Sequence, residues 1–389
     1  MPLTWSQFTR APRAGTPFLE DIVTIAFRKS GFAGLALIGA SALVLAGCAA
    51  APEEEPTTAP EPGATEEPAL DFLPCIVSDA GGWDDRSFNQ AAYEGIESAA
   101  NDLGVEFVPV ESADENAYGP NVQALVDQGC NLIVTVGFLL NEATATASAA
   151  NPDVNFAIID DLVEGDNVKP LLFDTVQGAF LAGYAAASYT ETGIVGTFGG
   201  IPIPPVTIFM DGFVQGVEYF NEQNGDDVQV LGWDFDAQDG AFTGGFAPGT
   251  EALTAAQNLI DQGADVIMPV GGPIYFSAAE AIRAANADIT LIGVDKDIFV
   301  SDPDLGDLVL TSVLKNIDAA VYDVVTQAAE GNFDNSLYVG NLENNGVGLA
   351  PFHDYEASVD PELQAQIDEL IAQIISGELV VESPATPGQ

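Results

Sequence analysis

Basic residues are scarce in this chain, which has nine Lys and Arg against 59 Asp and Glu among its 389 residues, for a formal net charge of −50. Nucleic acids and anionic membrane surfaces are therefore poor partners, because both are bound through clustered Lys and Arg. An excess of acid this large indicates a salty or acidic external medium, where screening or protonation relieves the self-repulsion. Each of the few cations is correspondingly informative.

Histidine and cysteine are also scarce, with one His and three Cys. His353 lies in a loop-like stretch, and the sequence contains no phosphate-binding loop or nucleophile elbow. The glycines of residues 193–200 lie around a strand and lack the spacing of a dinucleotide-binding loop. The acidic turn at residues 234–240 lacks the closing Glu of a calcium loop. We therefore expect no catalytic residues, no cofactor and no metal site.

Only one long apolar run occurs, at residues 31–46, and it is short for a membrane span. It follows Arg28 and Lys29, as the apolar region of a secretory signal peptide does. It ends in Leu-Ala-Gly-Cys48, which resembles the lipobox in which a cysteine is linked to diacylglycerol. We expect residues 1–47 to be a signal peptide and Cys48 to be lipidated. The alternative is an ordinary signal peptide with a chance cysteine.

The composition changes after Cys48. Residues 48–71 consist mainly of Pro, Glu, Ala and Thr without hydrophobic periodicity, which predicts a disordered linker between the lipid and the folded part. Beyond it, apolar β-branched runs alternate with helical patterns, which is typical of βαβ units and parallel sheets. Strands are predicted at residues 75–78, 106–110, 132–136, 155–159, 194–198, 228–232, 266–270, 290–294 and 309–312.

This alternation, in a chain long enough for two domains with sizeable cores, predicts an α/β fold. The expected architecture is the type I periplasmic-binding-protein fold, in which two Rossmann-like lobes with parallel sheets are joined by three hinge crossovers and enclose a cleft. The first four predicted strands and the next four are each expected to form one lobe, and the sequence from Thr311 is expected to return to the first lobe. A third crossing near residues 345–351 would lead a helix at residues 361–376 back to the second lobe. The expected boundaries are residues 72–176 and 297–345 for lobe 1, residues 177–296 and 346–380 for lobe 2, and residues 381–389 for a disordered tail.

A polar loop follows the first predicted strand. Its sequence is Asp79-Ala-Gly-Gly-Trp-Asp-Asp-Arg-Ser-Phe-Asn-Gln90, and it leads into a predicted helix. Such loops lie at the carboxyl edge of a parallel sheet, where ligands bind. A solvated turn with Ser87 as a helix cap would explain some of its polar groups, but not Phe88 in the first turn. Asp84 and Asp85 are either ligand contacts or charges at the helix N-terminus.

The loop resembles the signature of the basic-membrane-protein family of bacterial lipoproteins, which are solute-binding proteins of ABC importers similar to purine-nucleoside receptors. Further pieces of the family pattern follow in order. They are the residues from Gly137, FAIID ending at Asp160, QGAFLAGYAA from Gln177, IGVD ending at Asp295, TSVLK ending at Lys315 and NGVGLAPF ending at Phe352. The resemblance extends over about residues 73–376.

The family resemblance implies a monomeric, lipid-anchored receptor on the extracytoplasmic face of the cell membrane. It would capture a nucleoside, with a purine favoured, and deliver it to ABC permease and ATPase subunits without any enzymatic reaction. A sugar or another small polar solute remains an alternative ligand, and a sensor subunit of a membrane signalling system is an alternative role. A nucleoside-processing hydrolase is disfavoured because histidine and metal clusters are missing.

A nucleoside has a flat base that aromatic rings can sandwich, and a ribose whose hydroxyls suit a carboxylate acceptor with a lysine donor. The resemblance implies Phe88 as one aromatic face and Phe246 as the other. Trp233 and Phe242 are alternatives for the second face, because Pro248 stands where the family has an aspartate. A single lysine among several acids would not balance a phosphate, so a neutral nucleoside is favoured over a nucleotide.

The other expected ligand contacts lie mostly at strand ends, on the cleft side. Asp295 and Lys315 would bind the ribose, and Gly271 would let the backbone approach the sugar. The base edge would contact three polar side chains, those of Asp79, Asn89 and Asp160.

Cys75 and Cys130 remain once Cys48 is set aside, and secretion would place both in an oxidising compartment. Cys75 opens the first predicted strand and Cys130 just precedes the third, and the first and third strands of a doubly wound lobe are usually neighbours. The sequence therefore predicts a disulfide at the amino-terminal edge of the sheet, opposite the binding edge. The alternative is a pair of buried free thiols.

Overall fold

The structure is a computed structural model, and it describes residues 70–388. The expected signal peptide at residues 1–47, the lipidation site Cys48 and the expected linker up to residue 69 lie outside the described residues. Between residues 70 and 388 no helix has the length and apolar character needed to cross a membrane.

The described part of the chain alternates strands and helices almost throughout. In chain order the strands are β1 (Pro74–Val77), β2 (Val108–Val110), β3 (Leu132–Val136), β4 (Asn155–Ile159), β5 (Val168–Phe173), β6 (Ile194–Gly199), β7 (Gln229–Leu231), β8 (Trp233–Asp234), β9 (Asp239–Gly240), β10 (Val266–Val270), β11 (Thr290–Asp295), β12 (Val309–Lys315), β13 (Tyr338–Gly340) and β14 (Val347–Leu349). The helices are α1 (Phe88–Leu103), α2 (Glu115–Asp127), α3 (Asn141–Ala150), α4 (Val176–Tyr189), α5 (Pro204–Asn224), α6 (Thr250–Asp261), α7 (Tyr275–Ala285), α8 (Ile298–Ser301), α9 (Ile317–Ala329) and α10 (Leu363–Ser376).

Two six-stranded sheets form the centres of the two lobes. The lobe 1 sheet has the strand order β13-β5-β4-β3-β1-β2 and is parallel throughout. The lobe 2 sheet has the order β14-β12-β11-β10-β6-β7, and β14 is antiparallel to the parallel strands. The chain passes from sheet 1 to sheet 2 after β5, returns after β12 and crosses again after β13. These are the two parallel α/β lobes with three crossovers that the sequence predicts.

Helix α4 lies in the interior of lobe 2 because its sequence is almost wholly apolar or small, and it is buried on nearly all sides. Its main partner is α5. A Cβ atom on Gly183 of α4 would lie only 2.1 Å from the carbonyl oxygen of Phe213 on α5, so glycine is required for the two helices to approach this closely.

The structure corrects the expected boundary between the lobes at residue 297. Strand β12 pairs along its length with β11, and its other edge pairs with β14, so residues 297–315 belong to lobe 2. The reason is that β12 is buried in the middle of the second sheet, and the chain leaves that sheet only after Lys315. Helix α9, which comes next, then packs on α1 in lobe 1.

The end of the chain also differs from the expected disordered tail at residues 381–389. Its first part is held on α5 of lobe 2, because Ser383 Oγ donates a hydrogen bond to Asp211 Oδ2 at 2.6 Å. The backbone of Glu382 exchanges two further hydrogen bonds with the side-chain amide of Gln215. These contacts give the described part of the tail a defined position on lobe 2.

Cys75 and Cys130 form a disulfide in the structure, with a Cα–Cα distance of 5.9 Å. Both residues are buried. Strand β1 lies next to β3, with Cys75 opposite Ile133, so the disulfide joins neighbouring strands near their amino-terminal ends.

Candidate functional site

A cavity lies between the carboxyl ends of the two sheets. Residues of both lobes line it. All eight residues expected from the sequence to contact a ligand are among them: Asp79, Phe88, Asn89, Asp160, Phe246, Gly271, Asp295 and Lys315.

The cavity is built in the same way from each lobe, by two neighbouring strands that end in residues with positive φ. In lobe 1, β3 is followed by Gly137 at φ 112° and β4 by Asp160 at φ 68°. In lobe 2, β10 is followed by Gly271 at φ 139°, and β11 ends in Asp295 at φ 69°. Aspartate tolerates this left-handed conformation better than most residues do. Residues with such a backbone conformation are often found at functional sites. Each lobe therefore places one aspartate in the cavity from an equivalent strand end, Asp160 in lobe 1 and Asp295 in lobe 2.

Lys315 is the cation of this cavity and is only 2% exposed. Its Nζ lies 2.5 Å from Asp160 Oδ2 on the opposite lobe. The same nitrogen is 5.0 Å from the ring centroid of Phe88 and 5.2 Å from that of Phe173, so aromatic faces also stabilise the charge. A buried ammonium group requires such partners, because removing it from water is costly.

The carboxyl groups of the cavity are strongly influenced by burial. Burial raises the pKa of Asp79 to about 6, although hydrogen bonds from Asn89 and from the Gly81 backbone act in the opposite direction. Burial also raises the pKa of Asp295 to about 6, against the lowering effect of the Lys315 charge. The pKa of Asp160 is likewise raised by burial and lowered in part by Lys315. The cavity thus has several carboxyl groups for one ammonium group, which suits a ligand with several hydrogen-bond donors.

The loop before α1 contains two aspartates with different roles. Asp85 is buried, and its carboxylate accepts hydrogen bonds from the backbone N–H groups of Ser87, Asn89 and Gln90. It is therefore the charge at the N-terminus of α1, and it also lines the cavity. Asp84 is exposed and pairs with Arg86 outside the cavity, with 3.0 Å between Oδ1 and Nε.

Asn89 presents one free polar atom at the cavity. Its Nδ2 donates hydrogen bonds to Asp79 Oδ1 at 2.8 Å and to Asp85 Oδ2 at 3.3 Å. These two carboxylate acceptors define the orientation of the amide, since only the nitrogen can donate. Asn89 Oδ1 is buried and has no hydrogen-bond partner within the described structure, so it is free to accept from a ligand.

Phe246 lines the cavity, as Phe88 does, whereas the alternatives Trp233 and Phe242 do not line it. Trp233 is buried, and its Nε1 donates to Asp211 Oδ1 at 2.8 Å. Phe242 packs edge-to-face on Trp233, with 5.9 Å between the ring centroids. A Cβ atom on Gly271 would lie 2.7 Å from a ring carbon of Phe246. Glycine is thus required at position 271 to make room for this ring, a different reason from the expected approach of backbone to sugar.

The apolar wall of the cavity was not predicted from the sequence. The wall comes from the turn after β3, from the start of α5 and from the turn after β10. Its members are Phe138, Leu139, Ile203, Pro205, Val206, Phe209 and Pro273. The rule that ligands bind beyond the carboxyl ends of strands would have found these segments, because each follows such a strand end.

Comparisons with known proteins agree with this architecture. A family model described as "ABC transporter substrate-binding protein PnrA-like" matches residues 74–384. The "ABC transporter nucleoside-binding protein BmpA" of Lactococcus lactis subsp. cremoris is 30% identical over 374 residues, which cover 92% of this chain and 99% of that protein. The "CD4+ T-cell-stimulating antigen" of Listeria innocua is 29% identical over 373 residues, covering 91% and 99%.

Solved structures confirm the predicted fold. The crystal structure of an ABC transporter system solute-binding protein from Aeropyrum pernix K1 has a TM-score of 0.73 and 27% identity, and the match covers 82% of this chain and 94% of that chain. An arabinose binding protein from Geobacillus stearothermophilus matches with a TM-score of 0.55 and 15% identity over 75% of this chain and 99% of that chain. At that identity the likeness concerns the fold alone, which is the type I periplasmic-binding-protein fold.

Proposed function

This chain belongs to the PnrA-like family of ABC transporter substrate-binding proteins, and we propose that it captures a purine nucleoside between its two lobes and delivers it to an ABC importer. We further propose that it acts as a monomer, held on the extracytoplasmic face of the membrane by a lipid on Cys48. A relative with 30% identity has a name that states nucleoside binding, which supports the proposed ligand class.

The observation that supports the proposal most is the convergence of aromatic rings from both lobes with several carboxyl groups in one cavity. Phe88 comes from lobe 1 and Phe246 from lobe 2, so closing the lobes would bring a ring to each face of a flat base. The apolar wall adds further surface for a base.

The polar groups then have complementary roles. Asp79, Asn89 and Asp160 would accept hydrogen bonds from the edge of the base, where Asn89 Oδ1 is without a partner in the described structure. Asp295 would accept from the ribose hydroxyls, and Lys315 would donate to a ribose oxygen. Because the cavity has more carboxyl groups than cations, a phosphate would be repelled and a neutral nucleoside accepted.

Binding would follow from lobe closure, without a chemical reaction on the ligand. The three crossovers between the sheets act as the hinge, and a ligand that contacts both lobes stabilises the closed form. The permease would then distinguish the closed, loaded protein from the open one. Uptake of labelled nucleoside by cells with and without the protein tests delivery, as distinct from a role in signalling.

Purine nucleosides are expected to bind and raise the melting temperature of the purified protein. A ligand that binds only the native state adds about 2.7 kcal/mol to its stability at a concentration 100 times Kd. Calorimetry and thermal melts with inosine, guanosine and adenosine measure the effect, with free ribose and a nucleoside monophosphate as controls. If a sugar produced heat and a thermal shift and no nucleoside did, the alternative ligand class would replace this one.

Phe88→Ala and Phe246→Ala are each expected to weaken nucleoside binding by about 1–3 kcal/mol, because each removes a stacking face of the base. Phe242→Ala is the matched control, since this ring packs on Trp233 and does not line the cavity. Isothermal calorimetry gives the three affinities. A loss for Phe242→Ala with none for Phe246→Ala would contradict the assignment of the second face.

A further inference from the structure

The described part of the chain has five Lys and Arg residues, and their placement is uneven. Three of them form ion pairs within a lobe: Arg86 with Asp84 and Lys169 with Asp334 in lobe 1, and Arg283 with Asp307 in lobe 2. Arg86 also contacts the opposite lobe, and so do Lys296 and Lys315. Lys315 belongs to the ligand cavity, whereas Arg86 and Lys296 are not among its lining residues.

Lys296 directly follows the cavity residue Asp295 and crosses to α1 of lobe 1. Its Nζ forms an ion pair with Glu94 Oε2. The other oxygen of Glu94 accepts a hydrogen bond from Gln90 Nε2 at 2.7 Å, which orients the carboxylate toward the lysine. Burial would raise the pKa of Glu94, but the hydrogen bonds from Lys296 and Gln90 outweigh it and lower this pKa. The Lys296 side chain is 19% exposed and that of Glu94 is 40% exposed, so the pair is half-buried and water screens it in part.

A second contact between the lobes lies beside this pair. Ser301 Oγ in α8 donates to the backbone oxygen of Arg86 at 2.8 Å, and Arg86 Nη1 donates to the backbone oxygen of Ser301 at 3.4 Å. Ser87, the next residue, donates to either the Val294 backbone oxygen or Asp295 Oδ2. The rim of the cleft is thus closed by a short row of polar contacts between the start of α1 and the end of β11 with α8.

The lobes need such contacts because both are acidic. The described part of lobe 1 has only Arg86 and Lys169 as strong bases, and that of lobe 2 has only Arg283, Lys296 and Lys315, within a chain of 59 acidic residues. Closing the cleft brings two bodies of like charge together. Their repulsion extends over about 30 Å at 0.01 M salt and over about 10 Å at 0.1 M. A cation placed across the rim replaces repulsion by attraction at the point where the lobes meet.

We propose that Lys296 and Glu94 form a tie that holds the two acidic lobes in the closed form, and that they act as positioning residues for ligand capture from outside the cavity. This proposal rests on the proposed function in one respect only, which is that the affinity measurements use a ligand that closes the lobes. Its prediction for the ligand-free protein does not depend on the identity of that ligand.

Lys296→Gln is expected to weaken nucleoside binding about fivefold at about 10 mM salt, the size of effect that an ion pair of this exposure produces. Arg283→Gln is the matched control, because it removes one positive charge from the same lobe and from a pair that does not join the lobes. It is expected to change the affinity less than about twofold. Equal losses of affinity in the two variants would overturn the proposal, because the net charge of lobe 2 would then explain both losses.

Two rescue variants separate a tie from a general structural role. Lys296→Arg keeps the charge and is expected to bind as the wild type does. The exchange of Glu94→Lys with Lys296→Glu keeps the net charge and restores an ion pair, so it is expected to recover most of the lost affinity. At about 0.5 M salt, where screening acts over a few ångströms, the difference between Lys296→Gln and wild type is expected to fall below about twofold. An undiminished loss at that salt concentration would contradict the electrostatic origin.

Amide hydrogen exchange of the ligand-free protein gives a second measurement. If the tie holds the rim closed, residues 294–302 and 84–95 exchange faster in Lys296→Gln than in wild type and in Arg283→Gln. This outcome is independent of the ligand, so failure of the proposed nucleoside specificity and failure of the tie are distinguishable. Identical exchange of the rim in all three proteins would overturn the proposal.

Discussion

Lys315→Met is expected to lower the free energy of unfolding by about 3–5 kcal/mol, the usual effect of removing one partner of a buried ion pair. Lys315 is 2% exposed and pairs with Asp160 at 2.5 Å, while Asp295 is a second buried carboxyl group that its charge affects. Methionine keeps an unbranched, flexible side chain that lacks the terminal ammonium group, so it leaves these carboxylates without a cation. Urea denaturation at pH 8 measures the loss, and nucleoside binding is expected to be lost with it.

The double variant Lys315→Met with Asp160→Asn is the matched control. It removes both charges of the Asp160 pair, so a large part of the lost stability is expected to return, while Asp295 stays a buried carboxyl group without a cation. Ligand binding is expected to stay weak, since the proposed ribose donor is still missing. If the double variant were as unstable as Lys315→Met, the unpaired charge of Asp160 would not be the cause of the loss.

The stability deficit of Lys315→Met is also expected to depend on pH. Burial raises the pKa of Asp79 and of Asp295 to about 6 in the folded protein, above the ordinary value of 3.8. The native state therefore binds protons between about pH 6 and pH 4 that the unfolded chain does not, and stability rises as the pH falls through this window. The lysine lowers the pKa of Asp160 and of Asp295, so removing it moves the window upward. The deficit should thus be largest at pH 8 and shrink toward pH 5.

The positions of the site residues could be predicted from the sequence, because the carboxyl ends of parallel strands meet at one edge of each sheet. Asp160 and Asp295 each terminate a predicted strand, and the structure places both in one cavity. The choice of Phe246 over Trp233 and Phe242 depended on the family resemblance, since all three rings lie in one irregular stretch. Trp233 differs from Phe246 because it forms a hydrogen bond to Asp211. The two bonded residues are 22 positions apart in the sequence, so no local pattern predicts this contact.

The sheet to which a strand belongs was harder to predict. The sequence of β12 would suit the interior of either sheet, and only its pairing with β11 assigns it to lobe 2. Strand β5 was missed because Lys169 and Pro170 contradict the pattern of a buried strand. The structure accommodates the lysine through Asp334 and Ser336, which lie far along the chain. Where the local sequence is compatible with more than one structure, such long-range partners determine which structure forms.

Contacts with residues far along the chain also explain why the end of the chain has a defined position. The residues after α10 resemble a linker in composition, with prolines and few large apolar side chains. Their order comes from Asp211 and Gln215 on α5, which bind Ser383 and Glu382. A prediction from composition treats the segment as if it were alone and therefore misses partners supplied by a distant helix.

Removing the disulfide by Cys75→Ala with Cys130→Ala is expected to lower the free energy of unfolding by about 2–4 kcal/mol, because the cross-link restricts the unfolded chain. The bond closes a loop with a sequence separation of 55, long enough for a large entropic effect. Nucleoside affinity is expected to stay unchanged, since Cys75 lies about 13 Å along the chain from Asp79 at the cavity end. Urea denaturation of the wild type with and without reductant is the control, and it should reproduce the loss seen in the double variant. Thiol titration of the unfolded, unreduced protein that found two free thiols besides Cys48 would show that the bond does not form.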